Sequence, residues 1–161
     1  MNTKSIKQKS KTKSTREIDM KEYSRKDERM KTMQAFYQVF LYIENKEEFD
    51  ATEVINSMYG SESIDDVPKF SKAIYALGLE HYDEIVAKIQ EHLVNWTFSR
   101  LDNVAKAILF LGVAEGTYVR LAPRKVVINE CVDLAKTFLK VGDHKFINAV
   151  LDKSIPEYDF Q

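Results

Sequence analysis

The stretch VVINECVDLAKTF, residues 126–138, places an amide, a carboxylate and a thiol side by side. Glu130 could act as a general base and Cys131 as a nucleophile, but each would need a partner group from elsewhere in the fold. The apolar helical surroundings of Cys131 are expected to raise the pKa of its thiol, which favours a buried filler over a reactive group. The stretch therefore does not predict an enzyme.

Other groups that could hold a metal or a cofactor are sparse. The chain has one cysteine and three histidines, His81, His92 and His144, and no pair of them has the spacing of a helical zinc site. None of the five glycines lies in a phosphate-binding loop motif. His81 falls on an apolar stripe, which is typical of a satisfied core histidine. We expect neither a metal nor a cofactor.

Glu115 is a carboxylate near the apolar face of the fourth predicted helix. A buried carboxylate needs a partner, because desolvating an unpaired charge is costly. The sequence offers no second catalytic group close by, so the expected partner is a cation or the N-terminus of a neighbouring helix. A general base is the less favoured alternative.

Basic side chains are concentrated at the start of the first predicted helix. Projected at 100° per residue, Arg25 and Arg29 continue the stripe that further along carries Met33, Phe36 and Phe40. One interpretation is a solvated helix end, paired locally with Asp27 and Glu28. The other is a site for the phosphates of a nucleic acid, with both guanidinium groups exposed.

The charge distribution favours the phosphate site. The net charge is −1, but the first sixteen residues carry six basic side chains and no acidic one, which leaves −7 on the remainder. Residues 1–20 are rich in Lys, Ser and Thr and are expected to be a disordered tail. No apolar run approaches the length of a membrane span, and none follows the Lys-rich start as a signal peptide would require. A cytoplasmic protein is expected.

The apolar periodicity predicts helices throughout, and no segment has the alternation of a strand with a hairpin turn. The first helix should cover about residues 24–45, and Asp50 and Gly60 should bound a short second one. A long third segment, bent at Gly78, should run from Pro68 to Trp96 with its apolar side buried. Ser99, Pro123 and the pair Gly142-Asp143 should begin the last three helices. The predicted fold class is all-α.

Four stretches resemble the NusB transcription antitermination factor family. QAFY, residues 34–37, is similar to the family's Q-A-L-Y turn after a basic helix, and INECVDLAK, residues 128–136, to I-N-E-x-V-x-L-A-K. FINAVLDK, residues 146–153, is similar to F-V-N-G-V-L-D-K, and AILFLGVAEGTYV places Glu115 at the family's Glu. The resemblance runs from about Ser24 to Ile155. Departures are Ala149 in place of glycine, Phe110 in place of a basic residue, and a diluted arginine cluster.

The resemblance implies a NusB-like domain over residues 21–161, built of two packed helical subdomains. It implies a non-enzymatic factor that binds the single-stranded boxA element of ribosomal RNA leader transcripts, jointly with the ribosomal protein NusE. The complex would help RNA polymerase resist termination. On this basis Asn129 and Glu130 are expected to specify the fold, bonding between helices or to a loop.

The resemblance also assigns candidate RNA-binding residues. Arg25, Lys26 and Arg29 would hold phosphates, and Tyr37 would stack on a base. The family's loop before the last helix lies near RNA, which brings in a second set: His144, Lys145 and Phe146.

Two alternatives accompany this interpretation. A NusB-like domain also begins some ribosomal RNA cytosine methyltransferases, but only six residues follow Ile155, too few for a cofactor-binding domain. The other alternative is a helical protein-interaction module, or a homodimer, without intrinsic RNA specificity.

Overall fold

A computed structural model describes residues 23–160, and the predicted tail, residues 1–20, lies outside this part of the chain. The described residues form helices and turns without a strand, which confirms the all-α prediction. The seven α-helices are α1 (Arg25–Glu44), α2 (Ala51–Tyr59), α3 (Lys69–Glu80), α4 (Tyr82–Gln90), α5 (Asn103–Ala114), α6 (Arg124–Phe138) and α7 (Asp143–Ser154).

Helix α5 lies at the centre and packs against α1, α3, α4, α6 and α7. Its sequence NVAKAILFLGVA is apolar on nearly every side, and residues 105–114 are all buried. A helix that is apolar all round must be surrounded, which explains this position. The N-cap is Asp102, whose carboxylate accepts from the backbone N–H groups of Val104 and Ala105, and not Ser99 as predicted. Ser99 belongs instead to a short 3₁₀ turn.

Helices α2 and α3 both pack on α1, whereas α6 and α7 pack on each other and on α5. The two groups meet where α5 crosses α1 and α3, the arrangement of two packed subdomains that the resemblance implied. The core across this boundary is aromatic. Phe36 of α1 lies edge-on to Phe110 of α5, with ring centroids 4.8 Å apart.

The long third segment is two helices, α3 and α4, and the break lies at His81 and not at Gly78. Gly78 is required for a different reason: a Cβ at this position would lie 2.8 Å from the Phe36 ring. Trp96 was expected on the buried side but follows the end of α4, and 57% of its surface is exposed. His81 is half-buried at the joint, where its ring stacks on Tyr118 at 4.0 Å.

Helices α6 and α7 form an antiparallel hairpin. The chain turns at Gly142, whose φ of 95° is unfavourable for other residues, so that α7 begins at Asp143 as predicted. At the far end Arg124 donates from Nε to the carbonyl oxygen of Ile155 and from Nη1 to Asp152. These bonds fix the first turn of α6 against the last turn of α7.

Candidate nucleic-acid interface

The first turn of α1 is fixed by a capping box. The Ser24 hydroxyl accepts from the Asp27 backbone N–H at 3.1 Å, and the Asp27 carboxylate accepts from the Ser24 N–H at 3.4 Å. Asp27 is therefore occupied with the helix end, and no ion pair joins it to a basic residue among the described residues. The local pairing that competed with phosphate binding in the sequence interpretation does not involve Asp27.

Arg25 is exposed, and its guanidinium carbon lies 4.2 Å from the centroid of the Phe70 ring on α3. This cation–π contact orients the guanidinium plane while leaving its N–H edges accessible. No carboxylate lies within ion-pair distance of Arg25 among residues 23–160. An oriented, unpaired guanidinium can donate two parallel hydrogen bonds to a phosphate.

Lys26 connects α1 to α6. Its Nζ lies 3.2 Å from Glu130 Oε2 and 3.6 Å from Asp133 Oδ2, while 63% of the Lys26 side chain is exposed. The hydrogen bond to Glu130 raises the pKa of Lys26. The ammonium is held by carboxylates that an incoming phosphate would have to replace.

Arg29 corrects the sequence interpretation. It was expected to present its guanidinium to solvent, but only 4% of the residue is exposed. Nε and Nη2 donate to the two carboxylate oxygens of Glu115 at 2.7 and 2.8 Å. Burial alone would lower the pKa of Arg29, but the hydrogen bonds and the charge of Glu115 outweigh it and raise the pKa. An arginine in this position is not available to a phosphate.

The same pair confirms the expected partner for Glu115. This carboxylate is fully buried and begins a π-helical turn, Glu115–Val119, that extends α5. A general base would need solvent or substrate contact, and both carboxylate oxygens are held by Arg29. The role of Glu115 is structural.

Residues 129–131 of α6 differ in their surroundings. Glu130 bonds between helices through Lys26, as expected, but Asn129 is exposed and makes no side-chain hydrogen bond among the described residues. The expectation that Asn129 specifies the fold was therefore wrong, because its position faces outward from α6. Cys131 is fully buried, and burial raises the pKa of its thiol. This is the filler that the sequence predicted.

Tyr37 is half-buried and packs against the core. It follows Lys26 by eleven positions, which places it about 16 Å further along α1 and about 20° around the axis. Lys26 and Tyr37 thus share one side of α1. Stacking of Tyr37 on a base stays a prediction.

His144, Lys145 and Phe146 lie in the first turn of α7, and not in a loop before it as expected. Gly142 causes this difference, because its left-handed backbone completes the turn before the three residues. Lys145 is exposed, whereas His144 and Phe146 are half-buried. Binding of RNA by these residues stays a prediction.

Two aromatic residues that the sequence analysis missed lie beside these candidates. Phe146 shares a groove of about 290 Å³ with Trp96. Phe138 shares a smaller groove of about 130 Å³ with Lys26 and Glu130, and 40% of Phe138 is exposed. No sequence signal set Trp96 apart, because it follows Ile89 by seven positions and so keeps the helical period beyond the end of α4.

The described residues contain no group of three or more His, Cys, Asp or Glu side chains arranged to hold a metal ion. No helix among residues 23–160 combines the length and the apolar composition needed to cross a bilayer.

Comparison with known proteins shows to which family the chain is related. A model of the NusB family matches residues 26–156. The transcription antitermination protein NusB of Bacillus subtilis (strain 168) is 35% identical over 127 residues, which cover 79% of this chain and 91% of that protein. The chain belongs to the NusB family.

Further NusB proteins are similar over shorter or more divergent stretches. That of Lysinibacillus sphaericus (strain C3-41) is 40% identical over 74 residues, 46% of this chain and 58% of that protein. The structure of T. maritima NusB has a TM-score of 0.68 and 22% identity over 83% of this chain and 94% of that chain, which supports the fold. A crystal structure of antitermination factors NusB and NusE in complex with dsRNA contains a chain with a TM-score of 0.65 and 25% identity, covering 80% of this chain and 92% of that one.

Proposed function

We propose that this chain is a transcription antitermination factor that binds boxA-type single-stranded RNA of ribosomal RNA leader transcripts together with a NusE-type ribosomal protein. The observation that supports the proposal is the likeness, over 80% of this chain, to a protein crystallised with NusE and dsRNA, while the preference for single-stranded boxA comes from the family resemblance. The assembly would act with RNA polymerase, in the cytoplasm where transcription takes place.

The proposed RNA contact begins at the first turn of α1. Arg25 is oriented by Phe70 and lies beyond ion-pair distance of any carboxylate in the described structure, so it would bind a phosphate directly. Lys26 would exchange Glu130 for phosphate, a replacement that needs little free energy because 63% of the Lys26 side chain is exposed to water, although only 24% of the Glu130 side chain is. Arg29 is left out of the contact and supports it from below by fixing α1 to α5.

Recognition of bases would rely on aromatic side chains. Stacking on an exposed ring requires a base that is not already stacked in a duplex, which is why exposed aromatics favour single-stranded RNA. Phe146 and Trp96 line one groove and Phe138 another, and both grooves reach the α6–α7 turn. We infer that one or two bases of the bound strand stack here.

A protein-interaction module or homodimer without RNA specificity is the second candidate. Exposed apolar side chains favour it: Val94 and Trp96 are 75% and 57% exposed in the segment between α4 and α5. Surfaces of this kind commonly bind protein.

The two candidates differ in an RNA titration. Fluorescein-labelled boxA RNA, a scrambled sequence and a boxA duplex would each be titrated with the full chain, with and without NusE. The proposal predicts tightest binding to single-stranded boxA and a further gain with NusE. Equal affinity for all three RNAs, or binding of NusE with no RNA affinity, would favour the protein-interaction module.

A further inference from the structure

A groove of about 680 Å³ lies between α1 and α2, on the far side of α1 from Lys26. Tyr42, which lines it, follows Lys26 by sixteen positions, and this places the two side chains about 160° apart around the helix. The wall of the groove is aromatic: the rings of Tyr42 and Phe49 are parallel to within 8° and 5.3 Å apart. The RNA-binding proposal does not use this surface, whose floor includes the core residue Val54.

The rim of the groove is acidic. Glu48, Asp50 and Glu53 line it, and residues 44–66 contain eight acidic side chains against the single basic Lys46. Asp50 accepts hydrogen bonds from the first turn of α2. Glu48 and Glu53 are exposed, and no cation among residues 23–160 lies within ion-pair distance of either. The groove thus combines unpaired carboxylates with an apolar wall, which suits a segment with lysine side chains and their apolar stems.

The chain enters the described structure at one end of this groove. The ring of Tyr23 packs edge-on against Tyr59 at 5.0 Å. Lys31 fixes the same corner, because its Nζ donates to the carbonyl oxygen of Met58 at 3.1 Å and lies 5.4 and 5.5 Å from the two rings. Met58 is a lining residue of the groove. Tyr23, where the described structure begins, therefore lies beside the groove.

We propose that the Lys-rich segment, residues 4–16, docks in the groove between α1 and α2 and is thereby withheld from RNA. Charge and reach both support this occupant. The segment has six basic side chains and no acidic one. Seven extended residues span about 23 Å, whereas α2 is about 13 Å long, so even Arg16 reaches the far end at Glu48.

The consequence is competition between the groove and RNA phosphates for the same lysines, a step that rests on the proposed function. When RNA binds at the opposite side of α1, the segment exchanges carboxylates for phosphates. Neutralising the carboxylates of the groove should then raise the affinity for RNA of any sequence. This gain should occur only when residues 1–16 are present.

The docking itself is tested without RNA. A nitroxide attached to Ser10→Cys of the full chain would be combined with amide NMR spectra, since Cys131 is buried and does not compete for the label. We expect the largest losses of signal at Tyr42, Phe49 and Glu53. In 1 M salt, where the Debye length is about 3 Å, these losses should disappear.

The variant Glu48→Gln/Glu53→Gln should lose the effect, whereas Glu80→Gln/Asp159→Asn, which removes the same charge from two exposed positions elsewhere, should retain it. Uniform losses, losses on another face, or an unchanged pattern in the groove variant would overturn the proposal. Docking without any RNA affinity would contradict the proposed function alone. RNA affinity without localised losses would contradict the docking alone.

Discussion

Arg29 of α1 and Glu115 at the end of α5 form a buried bidentate ion pair between residues 86 positions apart. The pair joins the two helical groups near the start of α1, where the exposed first turn gives way to the buried part of the helix. It therefore connects the position of Arg25 and Lys26, one turn away, to the centre of the fold. Removing one partner of a buried ion pair strongly destabilises a protein, because the other charge is left buried and uncompensated.

Arg29→Ala should lower the free energy of unfolding by about 3–5 kcal/mol, measured by urea denaturation. The neighbouring Arg25→Ala is the control, and its loss should not exceed about 1 kcal/mol, since it removes an exposed cation–π contact. The double variant Arg29→Met/Glu115→Leu should recover much of the stability. Equal losses for Arg29→Ala and Arg25→Ala would mean that the pair contributes no more than a surface contact.

Glu130→Gln should release Lys26 and strengthen RNA binding, with a steeper salt dependence. The stability change should stay below about 1 kcal/mol because the Lys26 ammonium is solvated, with 63% of its side chain exposed. Fluorescence titration at several salt concentrations measures the first effect and urea denaturation the second. Weaker RNA binding in this variant would show that Glu130 positions Lys26 productively and does not compete with phosphate.

Asn129→Leu should change the free energy of unfolding by no more than about 0.5 kcal/mol, because the amide is exposed. Ile128→Ala, at a buried position one residue earlier, is the matched comparison and should cost about 2–5 kcal/mol. A loss for Asn129→Leu that approaches the Ile128→Ala value would restore the fold-specifying role.

The helical fold could be predicted because its signals are local. The stripe of Met33, Phe36 and Phe40 and the turn residues Gly60 and Gly142 act within a few positions of the helices they define. The residues of the candidate interface were harder to predict from the sequence, because whether a charged residue is buried depends on its partner in the fold. Arg25 and Arg29 share one stripe in projection, and only the position of Glu115 separates the exposed arginine from the buried one.

Asn129 illustrates the same limit from the other side. An amide in an apolar run was expected to be buried, but α6 has a solvent-facing side that passes through Asn129 while Ile128 and Cys131 face the core. Trp96 was assigned to a continuous stripe because nothing in its immediate neighbours marks the end of α4. For Asn129 the sequence predicted the helix and tertiary packing decided which side is buried, whereas for Trp96 the helix ends earlier than predicted.

Deletion of residues 1–16 should lower affinity for boxA and scrambled RNA by a similar factor, because a segment with six basic side chains and no acidic one contacts phosphates without reading bases. Each lost phosphate contact reduces the salt slope for single strands by about 0.7. Loss of two or three contacts should flatten the slope by roughly 1.5–2. Titration of both RNAs at several salt concentrations measures this, and a loss confined to boxA would show that the segment reads sequence.

The central claim is that the exposed start of α1 binds RNA. Its most direct test is the affinity for boxA RNA, with NusE present, of the full chain and two variants: Arg25→Ala/Lys26→Ala, and Lys88→Ala/Lys153→Ala at exposed positions on α4 and α7. The first should weaken binding about tenfold, close to 1.4 kcal/mol, and flatten the salt slope by about 1.4, while the second changes little. Equal effects of the two variants would show that net charge alone governs the affinity and would contradict a site at α1.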